Sequence, residues 1–301
     1  MKALVTGGAG FIGSHLVEKL VASGYEVHVI DNLQSGDVTF VHPQAVFHKE
    51  DIQSQESKEI ILREKPDVVF HLAAQADVQR SINDPSHDAE VNIVGTLNLI
   101  DACHQASVSK FVFSSTSAVY GNLQMDLITE VDPAVPISYY GLSKWTAENY
   151  IRIYSALRGI PFTILRYGNV YGPRQKPKGE GGVIAVFIQN IKNGLPVYIH
   201  GDGKQTRDFV FVKDVVQANM SAIKFGSKET YHVSTGRTTM IMDIVHMLEH
   251  IHGLDIETHY SPAREGDIRH SCLDNSKAFN DLKWEPHVTM IDGLIETYHT
   301  I

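Results

Sequence analysis

The sequence predicts an α/β fold: a doubly wound parallel sheet followed by a smaller C-terminal α/β domain. Three observations predict it. Short runs rich in Val, Ile and Phe are apolar almost throughout, as strands covered on both faces must be. Longer amphipathic stretches alternate with these runs. Finally, a glycine-rich turn, TGGAGFIG, joins the first run to the first such stretch.

In chain order, KALVT (2–6), YEVHVID (25–31), AVFHK (45–49), DVVFHLA (67–73), KFVFSS (110–115) and PFTILRYG (161–168) read as strands. FIGSHLVEKLVASG, with Gly24 as its stop, and NIVGTLNLIDACHQA read as helices between them. After Gly168 the rhythm changes. YGPRQKPKGEGG is a loop whose Lys176 and Lys178 read as solvated surface. A helical run follows over 183–193, then a short strand near 197–199. GDGKQTRDFVFVKDVV predicts a turn, a strand and a helix. The expected division is a first domain over 1–168 and a second over 169–301, with part of about 206–237 packing back onto the first.

Composition narrows the function. A 301-residue chain with 43% hydrophobic and 20% charged residues can bury a full core. Its formal net charge of −9 disfavours nucleic acid and anionic membranes as general partners. The two cysteines, Cys103 and Cys272, form no Cys-x-x-Cys, so neither a disulfide framework nor structural zinc is expected. No apolar stretch approaches a signal-peptide core or a membrane span, and a cytoplasmic protein is expected. His246, His250 and His252 lie close together but lack an acidic or cysteine partner nearby, so no metal is expected there.

Gly8, Gly10 and Gly13 fit G-x-G-x-x-G, and Gly7, Gly10 and Gly13 fit a looser spacing. In either case Gly10 lets main chain approach a pyrophosphate, and Gly13 lets helix and strand pack closely. Asp31 ends the second strand, where a carboxylate suits the two ribose hydroxyls of adenosine and repels a 2′-phosphate. The setting predicts a Rossmann-type domain binding NAD rather than NADP.

PISYYGLSK (136–144) places Tyr140, not Tyr139, four positions before Lys144. Residues so spaced share a helical face. A free phenol, with a pKa of about 10, is a poor base at neutral pH. A nearby ammonium and an oxidised nicotinamide ring would both favour the phenolate. Thr116, in SSTSAVYG at the end of the fifth strand, lies where an open sheet places its active site. Hydroxyl, phenol, lysine and dinucleotide together can take a proton and a hydride from a secondary alcohol.

These residues resemble the extended short-chain dehydrogenase/reductase family, in its nucleotide-sugar epimerase branch. The resemblance also rests on HLAAQADVQRS, VNIVGTLNL, RYGNVYGPRQ, GDGKQTRDFVFVKDV and REGD. It implies a cofactor site formed by Gly7, Gly10, Phe11, Ile12, Gly13, Asp31, Asn32, Asp51 and Ile52. Leu72, Ala73, Ala74, Gln75, Asn92, Ser114, Tyr140, Lys144 and Tyr167 would complete it. On the substrate side it implies Thr116, Asn169, Val183, Tyr198, His200, Arg207, Arg264, Asp267 and Ser271. Arg207 and Arg264 would meet a diphosphate as forked donors.

The implied reaction is NAD-dependent epimerisation at C4 of a UDP-sugar through a transient 4-keto intermediate. Tyr140 would be the base, with Thr116 and Lys144 assisting. A small residue four after Asp267, here Ser271, implies room for N-acetylated sugars as well as UDP-glucose and UDP-galactose. Sugar-nucleotide 4,6-dehydratases carry an Asp-Glu pair after the threonine, and decarboxylases usually a glutamate. Here Ser117 and Ala118 stand at those positions, which favours epimerisation. A uronate 4-epimerase or a reductase stays open, as does a non-catalytic dinucleotide sensor. The resemblance further implies a homodimer formed through helices near 86–106 and 139–158. In the latter, Trp145, Tyr150, Ile153 and Tyr154 would offer an apolar face.

Overall fold

The computed structural model describes residues 1–123, 125–177, 182–263 and 268–300. In the first half, β1 (Lys2–Thr6), α1 (Phe11–Ala22), β2 (Glu26–Ile30), β3 (Val46–His48), α2 (Gln55–Glu64) and β4 (Val68–His71) follow in turn. Next come α3 (Val78–Asn83), α4 (Pro85–Ala89), α5 (Gly95–Gln105), β5 (Lys110–Thr116), α6 (Tyr139–Arg158) and β6 (Phe162–Tyr167). The second half contributes β7 (Asn169–Tyr171), α7 (Val183–Lys192), β8 (Val197–His200), β9 (Thr206–Arg207), β10 (Phe209–Phe211) and α8 (Val212–Ala222). It ends with β11 (Glu229–Val233), β12 (Thr239–Met240), α9 (Ile241–His252), β13 (Thr258–Ser261) and α10 (Met290–Thr300).

Seven strands form one sheet in the order β11-β6-β5-β4-β1-β2-β3. Every pairing in it is parallel, as the sequence predicts. The continuous apolar runs have their expected cause. Ala3, Val5, Val27, Val29 and Phe70 pack on one face with α1 and α8, while Leu4, Ile30, Val69, Phe111 and Phe113 pack on the other with α2, α5 and α6. The order reverses between β1 and β4, which opens a crevice at the carboxyl ends of those strands.

The second half does not form a sheet of comparable size. β7 pairs with β10 and β8 with β13 in parallel, and β9 with β12 antiparallel. α7, α9 and α10 cover these pairs around Ile184, Phe187, Ile188, Ile244, Leu248 and Leu294. α8 packs against α1, and β11 becomes the outer strand of the main sheet.

One helix differs from expectation. Where the sequence suggests a start at Asn92, the chain is already helical from Pro85 and widens into a π-turn over Glu90–Val94 before α5. Single π-turns inside helices occur frequently at functional sites, and the buried Asn92 lies within this one.

Candidate active site

The glycine turn is shaped by close approaches. Gly7 has φ +72°, a left-handed value that favours glycine, and a Cβ there would lie 2.7 Å from the Ala73 nitrogen. A Cβ on Gly13 would lie 2.1 Å from the Gly7 carbonyl oxygen. Gly8 instead packs against the Val29 side chain, so the turn itself uses Gly7, Gly10 and Gly13. Gly10 caps α1 without a side-chain acceptor, leaving the first amides of the helix to an anion such as a pyrophosphate. Phe11 and Ile12 begin that helix, half-buried.

Asp31 directly follows β2, is only 7% exposed and accepts from the amides of Ala9 at 3.0 Å and Leu33 at 2.8 Å. Burial pushes its carboxyl above the ordinary range, while the two amides pull it back. Asn32 Nδ2 donates to Asp51 Oδ2 at 2.8 Å, and Asp51 also accepts from the Gln53 amide. Ile52 is buried, and its carbonyl accepts from Asn98. These residues line the side of the crevice next to β2.

On the other side, Leu72, Ala73 and Ala74 are half-buried beyond the end of β4. Thr6 fastens them, its carbonyl accepting from the Leu72 amide and its hydroxyl from the Ala73 amide. Gln75 and Asn92 are buried and interlocked: the Gln75 amide donates to Asn92 Oδ1 at 3.0 Å, and Asn92 Nδ2 to the Gln75 carbonyl at 2.9 Å. Asn92 Nδ2 also reaches Ser143 Oγ on α6 at 3.0 Å.

α6 begins at a capped end, where Ser138 Oγ accepts from the Gly141 amide, a cap worth about 1 kcal/mol. Gly141 has a packing role, since a Cβ there would lie 2.5 Å from the Ala118 carbonyl oxygen. Its absence lets α6 close on the 3₁₀ turn Ser117–Tyr120, which brings the Tyr140 phenol beside Thr116. The amide of Tyr140 donates to Ser81 Oγ at 3.1 Å.

The electrostatics correct one expectation. Lys144 is 2% exposed with its Nζ 4.3 Å from the centre of the Phe113 ring. Burial lowers it to about 7, although Glu148 and Asp88 act to raise it. Burial raises the Tyr140 phenol to about 12, Thr116 pulls it down and the charge of Asp88 adds to the rise. The lysine therefore does not by itself turn this phenol into a base: at Lys144 desolvation outweighs the acidic charges, and at Tyr140 desolvation and the charge of Asp88 act together.

Ser114 is half-buried beside Tyr167. The Tyr167 ring lies in the core with its hydroxyl bonded to Asn219, which leaves its main chain or ring edge for a cofactor contact. On the substrate side, the Asn169 amide donates to the Asp208 carbonyl at 2.7 Å, while Arg207 Nη1 donates to the Thr206 carbonyl. The half-buried Ser271 follows His270, which bridges to Thr206. Tyr198 is 52% exposed near the His259 ring, and His200 bonds Ser261. Val183 opens α7, half-buried. Arg264 and Asp267 lie outside the described residues, as does Lys178.

Several residues of the site went unread in the sequence. Asp208 is 1% exposed and accepts from the amides of Thr235, Gly236 and Leu273, so it gathers the strands that carry Asn169, Arg207 and Ser271. Its signal was an acid beside an apolar run in TRDFVFV. Asp88 and Glu148 left no such signal. Lys176, expected on solvated surface, is exposed but donates to the Ser35 carbonyl at 2.6 Å. Its neighbour Arg174 donates to Ser14, and together they strap this loop over α1 and the loop after β2. Of the three histidines of α9, His252 bonds the Tyr298 hydroxyl. The metal-like cluster Glu26–His28–Glu64 lies far from the crevice, and the Lys2 ammonium occupies it at 3.2 Å from Glu26 and 3.0 Å from Glu64.

Comparison with known proteins agrees with this geometry. The model of the NAD dependent epimerase/dehydratase family matches residues 3–234. A UDP-glucose 4-epimerase of Mycolicibacterium smegmatis is 40% identical over 304 residues, covering 99% of this chain and 97% of that protein. A UDP-glucose 4-epimerase of Thermotoga maritima, solved with UDP-glucose, superimposes with a TM-score of 0.97 at 44% identity, covering 100% and 98% of the two chains. The Thermus thermophilus UDP-glucose 4-epimerase, solved with NAD, gives 0.95 at 40% identity, covering 100% and 98%.

Proposed function

The chain belongs to the NAD-dependent epimerase/dehydratase family, and from that premise we propose that it interconverts UDP-sugars epimeric at C4. The observation that carries this reading is the placing of Tyr140 beside Thr116 at the carboxyl end of β5, with Lys144 buried one helical turn along α6.

The crevice suits the cofactor. Gly7, Gly10 and Gly13 give the main chain room for a pyrophosphate at the open end of α1, and Asp31 meets the adenosine ribose. Asn32, Asp51 and Ile52 flank the adenosine, while Leu72 to Gln75, Asn92 and Lys144 flank the other half. Bound NAD supplies the acceptor for the C4 hydride and the positive charge that the Tyr140 phenol needs to release its proton.

Tyr140 takes the proton of the C4 hydroxyl, and the Thr116 hydroxyl beside it orients both groups. Asn169, Arg207, Arg264 and Asp267 hold the diphosphate and ribose while the keto sugar turns its other face to the phenol. Tyr198 and His200 hold the uracil. Return of the hydride to the other face of C4 would invert its configuration, and Tyr140 gives the proton back to the C4 oxygen. Neither Ser117 nor Ala118 supplies an acid for eliminating water, which separates this reaction from dehydration.

Residues 1–168 serve the cofactor and 169–301 the nucleotide sugar, with α8 and β11 returning to the first part. No helix among the described residues is long and apolar enough to cross a membrane, and a cytoplasmic setting fits the reading. A homodimer is supported by α6. Tyr139, Leu142, Tyr150, Ile153 and Leu157 recur along one helical face at 44–76% exposure. Trp145 and Tyr154, expected on that face, pack inward instead, Trp145 near Tyr120 and Tyr154 onto Asp101.

The deciding experiment incubates the protein separately with UDP-glucose, UDP-galactose, UDP-N-acetylglucosamine and UDP-glucuronate and resolves the products. Epimer formation that disappears in Tyr140→Phe, with NAD still bound, is the expected result. A dehydrated product, or no conversion of any of the four, would refute the proposal.

A further inference from the structure

Asp88 is a buried acid to which neither the cofactor nor the substrate reading gives a role. It lies on α4, one turn before Asn92 of the π-turn, and is 1% exposed. Its Oδ1 accepts from Gln75 Nε2 at 2.9 Å and from Asn92 Nδ2 at 3.1 Å. Its Oδ2 has no hydrogen-bond partner among the described residues. A buried carboxylate with an unmet oxygen is costly, so its place in this pocket calls for a reason.

We propose that Asp88 positions the catalytic pair: one carboxylate oxygen fastens Gln75 and Asn92 against α6, and the buried charge sits one hydrogen-bonded step from Ser143, between Tyr140 and Lys144. Asn92 Nδ2 makes that step, because it bonds both Asp88 and Ser143. Ser143 Oγ in turn donates to the Tyr140 carbonyl at 3.1 Å. Cofactor-side residues and the catalytic helix are thereby coupled through one carboxylate. The inference rests on the assignment of Tyr140 and Lys144 as the reacting pair.

The charge acts in the same direction on both partners, raising Lys144 and Tyr140 together. Glu148 also raises Lys144, and more strongly than Asp88 does, but it does not act on Tyr140. Glu148, on the same helix, is bound to Arg166 of β6, and burial keeps His71 of β4 well below its ordinary value. Tyr120, in the turn after β5, is raised by burial to about 12. Asp101 of α5 is tied to Lys58 and Tyr154. Arg80 of α3 and Glu90 of the π-turn are exposed to solvent, and His87 of α4 is bonded to Arg80.

The test uses the full-length protein as purified, with Asp88→Asn and Asp88→Ala. Asparagine keeps a carbonyl oxygen for Gln75 and Asn92 and deletes the charge, whereas alanine deletes both. Two measurements are compared with wild type: the pH profile of kcat with UDP-galactose, and the titration of Lys144 by NMR of Cε-labelled lysine. The Lys144 signal is assigned by its loss in Lys144→Met. In Asp88→Asn the profile and the Lys144 titration should both move down by at least about half a pH unit. Asp88→Ala should in addition lose at least about half of its bound NAD, because Gln75 and Asn92 lose their anchor. A profile and a titration in Asp88→Asn that superimpose on wild type overturn the inference. If wild type converts no UDP-sugar while the Lys144 signal still moves in Asp88→Asn, the functional reading fails and the role of Asp88 in setting this pair stands.

Discussion

Glu148 and Arg166 meet as a two-point ion pair, Nε to Oε1 at 2.9 Å and Nη2 to Oε2 at 2.7 Å, one helical turn beyond Lys144. Glu148 is fully buried and also accepts from Ser115 and Arg152. Burial acts to raise its carboxyl, but Arg166 and the other donors outweigh burial and hold it below the usual range. Behind Lys144 the protein thus keeps an anion held by three donors, Arg166, Arg152 and Ser115.

Glu148→Gln leaves Arg166 buried and only partly compensated. Breaking such a pair from one side costs about 3–5 kcal/mol. Thermal denaturation should show a Tm several degrees lower, whereas a variant within about one degree of wild type would mean that Tyr120 alone satisfies Arg166.

Lys144 makes a prediction with a definite sign. Its folded value of about 7 lies below the 10.5 of an ordinary lysine. Between those values the unfolded chain holds a proton that the folded chain has released, so stability rises with pH across the window. The penalty of burying the ammonium is complete below about 7 and fades towards about 10.5. Lys144→Met should therefore gain more over wild type in urea midpoint at about pH 6.5 than at about pH 9, and an equal gain at both would contradict the shift.

Ser271 bears on substrate width. It is half-buried between His270, which bonds Thr206, and the buried Cys272, so its main chain is held in place. Ser271→Tyr should reduce kcat/KM for UDP-N-acetylglucosamine by at least about ten-fold while leaving UDP-glucose within a few-fold, in line with the cost of steric exclusion from a pocket. Unchanged turnover of the acetylated sugar would remove Ser271 from the gate.

The apolar stripe of α6 predicts assembly. Ile153 and Leu157 are 59% and 76% exposed, so replacing both by aspartate disturbs no core contact. Sedimentation should show the wild type at twice the mass of the double variant, with both giving the same far-UV circular dichroism. A monomeric wild type would end the homodimer proposal.

Much of this site was legible because its signals are local. Tyr140 and Lys144 lie one helical turn apart, Gly7 to Gly13 form one turn, and Asp31 ends the next strand. The choice between the two glycine spacings was not legible, because it depends on Ala73 and Val29 approaching from other strands. The ionisation of the Tyr–Lys pair was misjudged for a similar reason. Spacing shows that an ammonium is near a phenol, but desolvation depends on how many layers cover them.

The sequence by itself determined the parallel sheet, the dinucleotide turn and which tyrosine shares a helical face with Lys144, since each follows from periodicity within a few residues. Only the tertiary structure decided that Asp88, Asn92 and Ser143 form one chain of contacts, that Arg166 neutralises Glu148, and that Asp208 gathers the substrate strands. Asp88 and Ser143 are 55 positions apart, and Asp208 and Leu273 are 65 apart. Contacts of that span leave no periodic trace, because they exist only once helices and strands have stacked and excluded water from the polar groups between them.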